Sequence, residues 1–152
     1  MRQPEATRAA ILKHSGQLFN TQGYKATSIS DITTATGLTK GAIYRHFKNK
    51  NQLEKESLLY LSTVMFDKIR DRIRAQPTAP LKLKTIFHFF ETYISNPPVK
   101  GGCPLLNAST EADDTHPVLR RQAIGILDVF RDTIIALLAK GIEHGQIKPG
   151  IQ

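Results

Sequence analysis

"TGLTKGAIYRHFKNK", residues 36–50, is the stretch whose reading decides the fold. Thr39 has the side chain of a helix N-cap, and the residues after it predict a short helix from about Lys40 to Phe47. Ile43 and Phe47, four residues apart, share one face of that helix and define its buried stripe. Lys40, Gly41, Ala42, Tyr44, Arg45 and His46 lie off the stripe and must turn outward. Gly41 and Ala42 have almost no side chain, so this helix suits a close approach to a large partner.

Upstream, Ser28 is followed three residues later by Asp31, the spacing of a capping box, and Gly37 is a natural C-terminal stop. These signals predict a second short helix, joined to the first by a turn of about three residues around Gly37 and Leu38. Further upstream, Ile11, Leu12, Ser15, Leu18, Phe19 and Gln22 recur at three and four spacing between Pro4 and Gly23, the pattern of an amphipathic helix from about Glu5 to Thr21. Ile29, Ile32, Ala35, Leu38, Ile43 and Phe47 are placed to pack together and onto it. Helix, glycine turn, helix on a supporting helix is the geometry of a helix-turn-helix, whose second helix enters the DNA major groove.

That geometry gives each outward residue a task. Lys40 reaches a base-edge acceptor or a phosphate, and Gly41 and Ala42 permit contact. Thr39, Tyr44 and His46 donate to phosphate oxygens, with Thr27, Ser28 and Arg45 beside them. Lys48 and Lys50 stand at the start of the next helix, where the positive dipole end also favours phosphate. For His46, capping or packing is an equal alternative.

Charge agrees with this. The chain has 152 residues, a formal net charge of +8 and 40% hydrophobic residues, enough for a packed core. Residues 1–60 hold nine Lys and Arg against four Asp and Glu, while residues 61–152 hold twelve against nine, so the basic excess is densest at the N-terminal end of the chain. A solvated basic surface gives the same numbers, so position has to decide. One cysteine, Cys103, excludes an intramolecular disulfide and a thiolate zinc cage. No signal-peptide core and no run of about 18 apolar residues occurs, so no membrane partner is expected and the cytoplasm is the expected compartment.

Downstream, helices are expected from about Lys50 to Ala75, over "PLKLKTIFHFFETYIS" (80–95), in a short segment entered through Pro104, and from about Pro117 to His144. The segment at 80–95 is apolar nearly all round, which predicts a central place in the bundle. The fold class is therefore all-α, with a helix-turn-helix domain over residues 1–50 and a helical lobe over 51–152. The final stretch "GQIKPGIQ" (145–152) reads as a lead-in to a further helix, so the lobe is expected to be incomplete.

Residues 7–53, "TRAAILKHSGQLFNTQGYKATSISDITTATGLTKGAIYRHFKNKNQL", resemble the DNA-binding domain of the TetR family of bacterial repressors. Phe19, Gly23, Tyr24, Thr27, Ile32, Gly37, Lys40, Gly41, Tyr44, His46, Phe47, Lys50 and Leu53 follow the family's pattern in order. Thr34 departs from it, standing where alanine is commoner. The resemblance implies a homodimer in the bacterial cytoplasm, at the nucleoid. It also implies a palindromic double-stranded DNA operator, an effector pocket in the later helices and no cofactor. If that pocket exists, Met65, Phe66, Phe87, Phe90, Tyr93, Asn107, Thr110 and Phe130 are its expected lining, each also readable as core.

"VKGGCPLLNASTEADDTHP" (99–117) resembles a branch of the family with a Gly-Cys-Pro-Leu turn, and some members of the wider family sense electrophiles through a cysteine here. Cys103 precedes Pro104 at a helix N-terminus, where partial positive charge favours thiolate; a small buried hydrophobe is the competing reading. Glu111, Asp113, Asp114 and His116 suggest a metal set only weakly, and a solvated acidic helix end before Pro117 is expected instead. Beside the ligand-responsive repressor stand a constitutive or truncated DNA-binding module and a small cysteine-dependent enzyme. The enzyme lacks a phosphate loop, paired carboxylates near a histidine or a nucleophile motif beyond the lone thiol.

Overall fold

The computed structural model describes residues 4–93 and 95–150, and all regular structure among them is helical. Seven helices follow in order: α1 (Pro4–Gln22), α2 (Ile29–Thr36), α3 (Lys40–Tyr44), α4 (Lys50–Arg74), α5 (Ala79–Glu91), α6 (Pro104–Ala112) and α7 (Pro117–Glu143). Local chemistry sets their ends. Ser28 and Asp31 form the reciprocal capping box of α2, Thr39 caps α3 by accepting from the Ala42 N–H, and Asn49 caps α4 by accepting from the Gln52 N–H. Cys103 and His116 occupy the N-cap positions of α6 and α7, each followed by a proline whose missing N–H costs nothing there.

α4 is the shared element. It packs against α1 and also against α5, α6 and α7. Ile11, Phe19, Tyr24, Ile32, Ile43, Phe47, Leu53 and Leu58 fill the space between α1, α2, α3 and the start of α4, all essentially closed to solvent. Phe19 and Tyr24 stack with ring centroids 5.0 Å apart. Burial of each such side chain stabilises the fold by roughly 1.5–3 kcal/mol. The same core continues through Met65, Ile69, Ile86, Phe89, Leu119, Ala123 and Ile126 into the second lobe. At the crossing of α1 and α4, a Cβ added to Gly16 would lie 3.1 Å from Cγ of Leu61, so the two helices touch almost backbone to side chain.

The expectation that residues 80–95 sit centrally is corrected. α5 buries only Ala79, Ile86 and Phe89 from its own span, and leaves Leu81, Phe87 and Phe90 exposed, Phe87 at 73%. α5 packs against α4 and α7 and is covered along one stripe only. α3 also ends earlier than expected: the Arg45, His46 and Phe47 N–H groups still bond back to Gly41 and Ile43, as a closing turn that carries Phe47 into the core.

Candidate DNA-binding surface and effector cavity

The surface at α2 and α3 is built by its caps. The Asp31 carboxylate accepts from the Ser28 N–H at 2.7 Å and from its hydroxyl at 2.7 Å, and those bonds hold its pKa below the ordinary value. Gly37 then adopts φ +66°, which a side chain resists, and its N–H bonds to the Thr33 carbonyl at 2.9 Å to end α2. Three residues later α3 begins, with Ile43 fully buried and the rest of the helix turned away from the core. Thr39, Lys40, Gly41, Tyr44, Arg45 and Lys48 are exposed, and Ala42 and His46 half-exposed. A Cβ at Gly41 would meet nothing within 4 Å, so no internal packing demands glycine there. The Lys40 ammonium lies 6.0 Å from the Tyr44 ring centroid. The result is an outward helix face of small, hydroxylic and cationic side chains.

Two expected contact residues turn inward. Thr27 is fully buried, and its hydroxyl donates to the Gly23 carbonyl at 2.7 Å, closing the turn between α1 and α2. The Lys50 ammonium donates to the Tyr24 carbonyl at 2.7 Å, pairs with Glu54 at 3.2 Å and lies 5.9 Å from the Phe19 ring centroid. The buried Glu54 carboxylate, one turn along α4, draws Lys50 in.

The reading domain is tied to the second lobe by polar contacts that sequence reasoning missed. Glu111 of α6 accepts from the Tyr24 N–H at 2.8 Å and the Lys25 N–H at 2.6 Å, so it is not part of a solvated acidic end; Asp113 and Asp114 are exposed. His116 caps α7 through Nδ1 and meets Glu54 through Nε2. Burial first, then the charges of Glu54 and Glu111, push the Tyr24 phenol well above its ordinary value, so it stays neutral. An amide latch completes the tie: Asn20 donates to the Lys100 carbonyl at 2.8 Å, and Asn107 donates to the Gly101 carbonyl at 2.9 Å and to Asn20 Oδ1 at 3.0 Å. Gly101, at φ +96°, approaches so closely that a Cβ would stand 2.6 Å from the Asn20 carbonyl oxygen. A glycine pair at 101–102 was the sequence signal for such an approach.

A cavity of about 400 Å³ opens between the second half of α4 and α7. Its walls are apolar, from Leu59, Phe66, Ile69 and Ile73 on α4 and Ile126, Val129 and Phe130 on α7, with Ser62, Arg70, Arg74 and Gln122 as polar members. Phe66 and Phe130 meet with centroids 5.2 Å apart. Of the expected lining residues, the cavity takes these two alone. Met65 is fully buried on the other side of α4, where its sulfur accepts from the Tyr93 hydroxyl at 3.3 Å. Burial and the neighbouring Cys103 raise the pKa of Tyr93, which is buried and packs against Phe89. Phe87 faces away from the lobe, Phe90 stands edge-on behind Phe130 at 5.7 Å, and Asn107 is spent on the latch. Thr110 is exposed, its hydroxyl bonded to the Leu106 carbonyl. Cys103 is half-buried, is not in a disulfide and is not among the residues lining the cavity. Met65, Phe87, Phe90, Tyr93, Cys103, Asn107 and Thr110 are not among the residues lining this cavity.

Among the described residues no helix is long and apolar enough to cross a membrane. Residues 11–56 match the family model described as bacterial regulatory proteins, tetR family, and residues 79–152 match the tetracyclin repressor-like C-terminal domain. The chain is 32% identical over 83 residues to the transcriptional repressor KstR2 of Mycolicibacterium smegmatis, a match covering 55% of this chain and 40% of that protein. It is 27% identical over 149 residues to the regulator TtgR of Pseudomonas putida, covering 96% of this chain and 70% of that one. A crystal structure of a TetR transcriptional regulator from Chloroflexus aurantiacus superposes with a TM-score of 0.92 at 37% identity, covering 100% of this chain and 77% of that one. With its reading helix, its caps and these relatives in agreement, the chain belongs to the TetR family of bacterial transcriptional regulators.

Proposed function

We propose that the protein is a cytoplasmic repressor that binds a palindromic operator as a homodimer and lets it go when an effector enters the cavity between α4 and α7. One observation carries this reading. α3 buries Ile43 and presents Thr39, Lys40, Gly41, Tyr44 and Arg45 on a single open face, a stretch in which small size, hydroxyls and positive charge coincide. In this reading residues 1–50 contact DNA, with Ser28, Ala42, His46 and Lys48 at the edges of that face, and residues 51–152 sense and dimerise. Within the TetR family the chain is a regulator and not an enzyme.

An effector lowers operator affinity only by as much as it prefers the non-binding arrangement. The tie through Glu111, His116 and Asn107 gives such a preference a physical route from the lobe to α1 and α4. A second trigger is favoured by one specific placement: Cys103 is the N-cap of α6 and sits next to the glycine loop latched to Asn20, so an adduct on its half-buried thiol would disturb the same tie.

The test is salt-dependent binding of the protein to its own upstream DNA against scrambled DNA, with and without a thiol reagent. Specific binding whose affinity falls with salt supports the operator reading. Loss of it on modification, with retention in Cys103→Ser, adds the thiol trigger. Equal affinity for both DNAs sinks the sequence-specific reading.

A further inference from the structure

The cavity between α4 and α7 contains a polar atom that the fold leaves unserved. Ser62 is 1% exposed, and its hydroxyl has no hydrogen-bond partner among the described residues, yet it lines the opening. A buried hydroxyl without a partner is a cost to folding, and a guest that bonds to it removes that cost. Charge marks the other end. Arg70 and Arg74 line the cavity from the last turns of α4, and no carboxylate lines it. Arg70 is paired with Asp67 outside the cavity, whereas Arg74 has no ion pair among the described residues.

Ser62, Phe66, Arg70 and Arg74 recur every four residues, on one row of α4. At 1.5 Å per residue the serine lies about 12 Å along the axis from Arg70 and about 18 Å from Arg74. Phe66, Ile69, Ile73 and Phe130 fill the interval with apolar surface. The geometry points to an elongated organic carboxylate as the occupant, with its anionic head at Arg70 and Arg74, an apolar chain against Phe66 and Phe130, and a hydrogen-bonding group at its far end serving Ser62. This assignment rests on the reading of the lobe as an effector site and names the chemical class of its effector.

The experiment is calorimetric titration of the full chain with four probes of equal length: dodecanoate, omega-hydroxydodecanoate, dodecanol and dodecylammonium. Dodecanoate is expected to bind at least about tenfold more tightly than dodecylammonium, and the hydroxy acid more tightly still, because bonds to charged groups and to unserved buried groups are the strong ones. An Arg70→Gln, Arg74→Gln double variant should erase the preference for anion over cation while keeping dodecanol affinity. Ser62→Ala should erase only the advantage of the hydroxy acid, and since it removes an unserved hydroxyl its fold should be at least as stable. Equal binding of anion and cation, or no binding of any probe, overturns the assignment; so does a sedimentation result in which a second copy closes the cavity and excludes all four. Operator release is read separately on upstream DNA. Discriminating binding without release sinks the effector reading and leaves the carboxylate site standing, whereas release by a neutral or cationic molecule in the absence of carboxylate binding does the reverse.

Discussion

Nε2 of His116 lies 2.5 Å from Oε2 of Glu54, joining the cap of α7 to a carboxylate buried in the first half of α4. Lys50 holds the other oxygen at 3.2 Å. Removing the imidazole takes a cap from α7 and a partner from a buried charge at once. His116→Ala is therefore expected to lower unfolding free energy by about 2–3 kcal/mol. Urea titration followed by circular dichroism measures it, and a loss under about 0.5 kcal/mol would mean that water serves Glu54 equally well.

Gly41 separates folding from reading. A Cβ there meets no atom within 4 Å, so Gly41→Ala fits the fold and should raise helix stability by up to about 1 kcal/mol. On DNA the added methyl group occupies the space that close approach needs, and operator affinity is expected to fall at least about tenfold, as for loss of a good base contact. Thermal unfolding and a mobility-shift titration of the same preparation decide it; unchanged DNA affinity would remove Gly41 from the interface.

The pH dependence of the reading domain follows from Asp31. Its pKa is held below the ordinary 3.8 by bonds from Ser28, so the capping box is at full strength above pH 3.8 and is lost as pH falls through the depressed value. Asp31→Asn should flatten the acid limb of the stability curve over that interval and leave the rest of the curve parallel to it. Equilibrium unfolding at a series of acid pH values tests this, and an identical acid limb in the variant refutes it.

Gly101 is a stricter position. An alanine there would combine φ +96° with a Cβ 2.6 Å from a backbone oxygen of Asn20, so Gly101→Ala should cost about 2 kcal/mol or more. Asn107→Ala, which keeps the loop and removes the three hydrogen bonds donated by its amide, should cost about 1–2 kcal/mol. If the two variants unfold at the same urea midpoint as the parent chain, the latch contributes nothing.

Local signals carried the helix boundaries. Ser28 with Asp31, Gly37, Thr39, Pro104 and Pro117 each state an end within a few residues, and each end stands within a few residues of its expected place. The outward face of α3 was equally legible, because Ile43 and Phe47 sit four residues apart. What was not legible depended on packing between distant segments. The place of Lys50 at a helix N-terminus suggests a phosphate ligand; its capture by Glu54, one turn away, goes with the contact of that buried carboxylate to His116, more than 60 residues downstream. An apolar stripe does not say which neighbour covers it, so the sequence leaves the walls of the cavity open. Ser62, Arg70 and Arg74 shared a row in the sequence, but only the position of α7 opens that row to a guest.

The near contact of Gly16 with Leu61 sets a mechanical limit on the molecule. α4 has 25 residues, a rod about 37 Å long, and α1 grips it near its middle. The cavity lies along one arm and the reading domain is fastened to the other. A rod pivoting at such a grip turns a tilt of about 5° into a shift of about 1–2 Å at each end, comparable to the helix shifts that separate discrete states in switching proteins. Leverage of that kind needs a stiff bearing, and any side chain at position 16 would have to displace Leu61 at the bearing itself.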